Sequence, residues 1–283
     1  MKKLLLTTLA LLMLCLPALA ETQIFCTGEA GDSAYEISQR LATEMNGTVN
    51  TAPTALEAMN AFLAADKDAA VYIGDPAAMI LSLQGYTDAD LRTAVLPVAK
   101  IAASPAVMYA SQAVLDVCPD ATYDSLVAYC EAAPFEIFIA RLIDASPVDY
   151  LTLEASAMMY VDQDLYMDWA EMAQCIRDGA VDLCVFGAVV PAELDGLLTP
   201  IYDTGLQGLF LGAFVQTDSA LAADAEAALL TLAAQEDVQA LLQSAGYVPA
   251  THTDSAAFTG EVKELFQRYI QYLTNEGLFF YEF

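Results

Sequence analysis

The chain predicts an α/β protein of two lobes joined by crossing segments, and three observations carry that prediction. Strand, loop and helix alternate twice early in the chain, with loops at Thr27–Ser33 and Gly74–Pro76, as in an α/β domain with a largely parallel sheet. Leu91–Ser111 (LRTAVLPVAKIAASPAVMYAS) then runs extended. It is broken by Pro97 and Pro105, has no helical apolar period, and reads as a crossing into a second lobe. Further on, Leu198–Tyr202 and Leu209–Val215 are extended and lead back before a helical C-terminal part. The expected division is 21–103 with 216–283 for the first lobe and 104–215 for the second.

Met1–Ala20 precedes these lobes. Lys2 and Lys3, an apolar run, Pro17 and the A-x-A pattern Ala18-Leu19-Ala20 form a secretory signal, so the mature chain is expected to begin near Glu21. A lipid anchor at Cys15 is the rival, disfavoured by the large Leu14 before it. The protein is therefore expected outside the cytoplasmic membrane, in the periplasm or on the extracellular face. No later apolar run is long enough to span a bilayer.

The first strand is Gln23–Thr27, followed by the loop Gly28–Ser33 and a helix with Ala34, Ile37, Leu41 and Met45 on one face. Asp32 or Ser33 can cap that helix. Gly28 and Gly31 allow a sharp turn and close approach of a ligand. Such a loop directs backbone N–H groups into a crevice, a ready anion site, although an ordinary βα turn has the same look. Gly47–Thr51 reads as a strand, Ala55–Ala65 as a helix and Ala69–Gly74 as an apolar strand. Pro76 suits the first position of the next helix, with Asp75 as its cap. Ligands in such sheets sit outside the carboxyl ends of the strands.

In the second lobe Tyr123–Glu131 is a helix and Phe135–Ala140 a strand. The loop Arg141–Ser146 leads to Pro147 and a helix containing Leu151, Leu153 and Met158, with Ser146 as N-cap. Asp162–Asp168 (DQDLYMD) reads as an acidic helix start, Met167–Asp178 as a helix and Ala180–Gly187 as a strand. The last part holds helices at Ala220–Ala233 and Glu236–Ser244, stopped by Gly246 with Pro249 beyond. A long helix follows, with Phe258, Val262, Leu265, Tyr269 and Leu273 on one face and Gly277 at its end.

Composition narrows the function. Cleavage removes two of the 10 basic residues and leaves 8 against 38 acidic ones, a formal charge of −30. Such a surface repels nucleic acid and anionic lipid. Five cysteines remain: Cys26, Cys118, Cys130, Cys175 and Cys184. Export permits disulfides, with Cys118–Cys130 or Cys175–Cys184 as partners. Cys26 and Cys184 sit in core strands and read as buried free thiols. His252 is the lone histidine and stands in a polar turn. No G-x-S-x-G or H-E-x-x-H motif occurs, so the chain reads as no enzyme, without cofactor or metal.

Gln235–Phe279 (QEDVQALLQSAGYVPATHTDSAAFTGEVKELFQRYIQYLTNEGLF) resembles the C-terminus of the substrate-binding proteins of tripartite tricarboxylate transporters. Leu242, Gly246, Pro249, Phe258, Gly277 and Leu278 stand at the matching places. Trp169–Val185 (WAEMAQCIRDGAVDLCV) is similar to a helix, glycine and strand of that family, and Leu96–Met108 to its crossing segment. The resemblance implies the two-lobed periplasmic-binding-protein architecture, a Venus flytrap with two crossovers. It also implies capture of a small di- or tricarboxylate-like ligand and delivery to the membrane permease subunits of a tripartite transporter, by a protein expected to act as a monomer. The family's glycine-rich first loop is replaced here by Asp32-Ser33-Ala34, with Glu36 and Arg40 in the places of its aspartate and arginine. The family's second loop is shortened around Asn50–Thr54, and its small-residue loop in the second lobe becomes Arg141–Ser146.

TGEAGDSAYEI also looks like the first loop of TRAP-associated extracytoplasmic immunogenic-type binding proteins, with Tyr35 at the aromatic position. That alternative brings another small ligand, such as an amino acid. A further alternative is an extracellular sensor or interaction protein that has lost transport.

The expected binding residues are Thr27, Gly28, Gly31, Asp32, Ser33 and Tyr35 around the first loop, and Gly74 and Asp75 after the next strand. Arg141, Ser146 and Trp169 are expected from the second lobe. Arg141 either makes a bidentate contact with a carboxylate or pairs with one of the many acids. Trp169 either walls the ligand or packs in the core. Tyr35 either bonds the ligand or covers the loop.

Overall fold

A computed structural model of the 283-residue chain describes residues 21–87, 89–142, 146–201, 204–206, 208–250 and 254–275, the side chains of 77, 146–150, 153 and 157 excepted. The signal segment Met1–Ala20 with Cys15, and likewise His252, Gly277 and Leu278, lie outside the described residues. So does the middle of the Arg141–Ser146 loop.

The first lobe opens with β1 (Gln23–Thr27), α1 (Ser33–Glu44), β2 (Thr48–Ala52), α2 (Ala55–Ala64), β3 (Ala70–Gly74) and α3 (Ala77–Leu83). A short helix α4 (Leu91–Ala94) leads into β4 (Val95–Ser104). The chain then crosses to β5 (Val107–Ala110), followed by α5 (Gln112–Val117), α6 (Tyr123–Ala132), β6 (Phe138–Leu142), α7 (Ser146–Met159), β7 (Asp162–Tyr166), α8 (Trp169–Arg177), β8 (Leu183–Phe186) and β9 (Thr199–Ile201). It returns as β10 (Leu209–Gln216) and ends with α9 (Ala222–Ala233), α10 (Glu236–Ser244), β11 (Val248–Pro249) and α11 (Ser255–Asn275).

Two sheets result, ordered β11-β4-β10-β3-β1-β2 and β7-β6-β8-β5-β9. In the first, β1 pairs in parallel with β2 and β3, while β10 runs antiparallel to both β3 and β4. The sheet is therefore mixed rather than largely parallel. The physical reason is the return crossing: β10 enters from the second lobe and must run against the strands that point toward it. β10 also belongs to the first sheet, so the chain has crossed back before Leu209, earlier than the expected boundary at 215. The crossings leave side by side, because Leu209 is paired with Ser104.

Other local expectations shift for identifiable reasons. Pro97 does not break its strand. It sits beside a register shift where β4 passes one extra residue, Val98, between Ala99 and Pro97, so the missing N–H is absorbed by a bulge. Leu91–Ala94 is helical, started by Asp90, whose carboxylate accepts from the Arg92 N–H at 3.0 Å. Strand β6 begins at Phe138 rather than Phe135. Phe135 is exposed and has φ +65, a turn conformation that no strand continues. Asp162–Tyr166 is the edge strand β7, parallel to β6, with Asp162 exposed and Asp164 half-buried; only Asp168 caps a helix, accepting from the Glu171 N–H at 2.8 Å. The helix α3 begins after Pro76, which occupies the cap position expected for Asp75.

Burial follows the period of two along each strand. Phe25 faces one side of the first sheet, with Tyr72, Phe214 and Phe62; Ile24 and Cys26 face the other, with Val71, Ile73 and the buried face of α1, Ile37 and Leu41. Both faces are covered, which is why these strands read as unbroken apolar runs. The first of these clusters continues into the second lobe through Met108, Ile139, Val185 and Leu151, and takes in Phe258, Phe266, Tyr269 and Leu273 of α11. A further cluster covers the outer face of the second sheet. All five cysteines of the described chain are free thiols: Cys26, Cys118, Cys130 and Cys184 are buried and Cys175 is half-buried. Burial pushes the Cys130 thiol up to about 11 and the Cys184 thiol up to about 12. No helix among the described residues is long and apolar enough to cross a membrane.

Candidate functional site

The carboxyl ends of β1 and β3 open onto a cavity of about 310 Å³. Their direction puts it on the side of the second lobe, since Gly74 lies level with Gly212 near the start of β10, close to the crossing. Thr27, Gly28, Gly31, Asp32 and Ser33 line it from the first loop, and Gly74 and Asp75 from the second. The structure thus gathers seven of the eight residues expected from this lobe. Tyr35 is not in the lining; it is half-buried and packs against the apolar cluster beneath α1.

The first loop is closed by its own side chains. The Glu29 N–H donates to Asp32 Oδ2 at 2.8 Å, the Asp32 N–H donates to the Glu29 carbonyl at 3.0 Å, and the Gly31 N–H donates to Glu36 Oε1 at 3.1 Å. Asp32 stands at the cap position of α1 with an extended backbone but makes no side-chain cap bond, because its carboxylate turns back into the loop. Gly28 has φ +91, and a Cβ there would lie 2.5 Å from Asp32 Oδ2. Only glycine combines that conformation with that proximity. Three amides of the loop, those of Glu29, Gly31 and Asp32, are therefore already committed, two of them to the chain's own carboxylates.

Ser33 is buried, and its hydroxyl has no hydrogen-bond partner among the described residues. Burial raises the Tyr247 hydroxyl above its usual value, and the charges of Asp75 and Asp32 push it further in the same direction.

Sequence reasoning missed four lining residues: Ala34, Leu211, Ala245 and Tyr247. The last two flank Gly246, which the sequence marks as a helix stop and as a position of the C-terminal resemblance, not as part of the site. Gly246 has φ +81, and a Cβ there would lie 2.6 Å from Val189 of the second lobe. The same turn therefore ends α10, lines the cavity and touches the opposite lobe.

The second-lobe residues lie apart from this lining. Arg141 is half-buried near the end of β6; its neighbour Ala140 pairs with Cys184, two residues before Phe186 at the end of β8. Phe186 in turn pairs with Val107, where the chain arrives from the first lobe, so Arg141 stands toward the interlobe edge of its sheet. Ser146 is the first residue of α7. Trp169 begins α8 and packs edge-on against Phe186 at 5.7 Å, which stacks on Tyr109 at 4.1 Å; the Tyr109 hydroxyl donates to the Gly187 carbonyl at 3.1 Å. Arg40 of α1 forms an ion pair with Asp237 of α10. Among the described residues no group of three or more histidine, cysteine or acidic side chains is placed to hold a metal ion.

Two sheets, two adjacent crossings and a cavity at the carboxyl ends of the strands define the two-lobed periplasmic-binding-protein fold. Solved ligand-binding proteins share it. A TctC solute-binding protein from Polaromonas, without ligand, is similar with a TM-score of 0.69 and 12% identity, over 92% of this chain and 99% of that one. MatC from Rhodopseudomonas palustris, with bound malate, gives 0.66 and 16%, over 91% and 99%. The GluR0 ligand-binding core with L-glutamate gives 0.53 and 10%, over 79% and 97%. No protein-family model matches the chain, and no curated protein matches it in sequence. The likeness is one of fold, and the ligand has to be argued from the residues.

Proposed function

We propose that this protein is a non-enzymatic, extracytoplasmic solute-binding protein. It captures a small carboxylate-bearing metabolite between its lobes and delivers it to the membrane permease of a tripartite transporter. The observation that carries the reading is the cavity at the ends of β1 and β3, rimmed by Gly246 where the first lobe meets Val189 of the second. A binding protein needs a crevice that two bodies can close over, and the paired crossings at Ser104–Val107 and Ile201–Leu209 are the natural hinge. On this reading the lobes are 21–103 with the C-terminal part and the segment from 104 to the return crossing. Arg141 holds the carboxylate from the second lobe, Trp169 and its aromatic neighbours stiffen that wall, and the signal segment takes the chain out of the cytoplasm.

The test is a thermal-shift screen of the purified protein against di- and tricarboxylates, amino acids, aromatic acids and polyamines. A ligand at 100 times its Kd should stabilise by about 2.7 kcal/mol. Arg141→Ala should weaken the selected carboxylate at least tenfold, about 1.4 kcal/mol. Unchanged affinity removes Arg141 from the site. No shift with any compound, with co-purified ligand excluded by denaturing mass spectrometry, favours the sensor or interaction reading.

A further inference from the structure

We propose that the segment Glu276–Phe283, which follows α11, turns back into an apolar groove between α11 and the start of β4 and covers it as a strap. The inference is independent of the binding-protein reading, because the groove lies at the far end of the first sheet from the cleft. Leu96 in its wall is eight residues along β4 from the crossing at Ser104, about 26 Å of strand.

The groove has a volume of about 500 Å³, within the range of ligand pockets. Leu91, Val95, Val262 and Phe266 form a buried floor, while Leu96 is 36% exposed and Ile270 half-buried. A second hollow of about 470 Å³ continues it past Pro97 and Val98, between α9 and α11. Along this stretch β4 is an open edge, since β11 pairs only with Ala102 and Ala103. Open apolar edges invite association, and folded chains ordinarily cover them.

The rim selects the occupant. Lys263 is exposed on one side and has no ion-pair partner among the described residues; Arg92 stands on the other, sharing its charge with Asp90. Two cations on one apolar groove, in a chain with 10 basic residues against 38 acidic ones, fit an occupant that is both apolar and acidic. Glu276–Phe283 (EGLFFYEF) answers that description: four aromatic residues and a leucine, with Glu276 and Glu282.

Its reach is also right. Helix α11 ends at Asn275, five residues or about 7.5 Å beyond Ile270 in the groove wall. Gly277 comes two residues later, where a left-handed glycine commonly turns a chain back at the end of a helix. From Gly277 to Phe283 an extended chain covers about 20 Å. Asn275 back to Lys263 is about 18 Å of helix, so the segment spans the groove and brings Glu282 to the level of Lys263.

The test is photo-crosslinking in the full chain. p-Benzoylphenylalanine replaces Tyr281, the purified protein is irradiated, and peptide mass spectrometry locates the product. Crosslinks within one molecule to residues 91–97 or 259–270 are expected. Lys263→Glu should lower their yield at least threefold, and Lys263→Arg should leave it unchanged. A chain ending at Asn275 should bind the synthetic peptide EGLFFYEF at least tenfold more tightly than the full chain, whose own segment competes for the groove. Crosslinks to other residues, or no product, overturn the strap. A product only between two molecules also overturns it and makes the groove an interface between copies. Equal yields from the two Lys263 variants, or equal peptide binding by the two chains, would overturn it as well. Crosslinking in the full chain decides even if the shortened chain does not fold.

Discussion

Replacing Gly74 with alanine is a substitution whose cost can be worked out from distances. The backbone there is not in the left-handed region, so the cost is steric. A Cβ on Gly74 would lie 2.5 Å from the Tyr72 hydroxyl oxygen, 2.7 Å from its Cζ and 2.8 Å from its Cε1. Tyr72 has no room to yield: it is fully buried, with Phe62 and Phe214 rings at 6.0 and 6.1 Å from its own. Overpacking of this kind costs about 1–3 kcal/mol. For a protein of this size each kcal/mol lowers Tm by roughly 2–4 °C, so the expected fall is about 2–12 °C. Urea unfolding followed by circular dichroism gives the free energy directly. Tyr72→Leu removes the ring, so adding Gly74→Ala to that variant should cost less than about 0.5 kcal/mol, because two contacting residues do not act additively. A loss below about 0.5 kcal/mol in the native background, or the same loss in both backgrounds, would show that the ring is not the obstacle.

Two further outcomes are expected. Burial raises the Asp182 carboxyl above its ordinary value, against the opposing pull of the Phe138 N–H that donates to it at 3.0 Å. The native state then holds this proton to a higher pH than the unfolded chain, so its contribution to stability falls as pH rises from the unfolded value through the raised native one. Asp182→Asn should therefore flatten the decline of Tm over that window just above the ordinary carboxylate range, and an unchanged profile would refute the assignment. Arg268 of α11 forms an ion pair with Glu154 of α7, whose side chain is only 3% exposed, so the pair links the C-terminal helix to the second lobe. Arg268→Ala should cost about 3 kcal/mol by leaving a buried carboxylate without the guanidinium, and Glu154→Gln in the same chain should recover most of it. A loss under 1 kcal/mol would mean that other partners carry Glu154.

The sequence by itself determined most of the strands, the main helices and the two-lobed order, because those rest on local periodicity and on the stops that Gly and Pro impose. β1, α10 and the buried face of α11 fall where the apolar pattern puts them. It also brought Thr27–Ser33 and Gly74–Asp75 together, since both loops end neighbouring strands. Partnership was not legible. β7 is acidic and short, and only its pairing with β6 makes it a strand. β10 reads equally well as part of either lobe; its place between β4 and β3 is settled by long-range hydrogen bonds. Tertiary structure also decided the character of the site. Whether a loop amide meets a ligand or a side chain of its own chain depends on where Asp32 and Glu36 turn, and spacing does not encode that. Nor does it show that the Gly246 turn, far along the chain, supplies Ala245 and Tyr247 to the same cavity. Such contacts are set by packing between segments remote in sequence, where the energy of each depends on all the others.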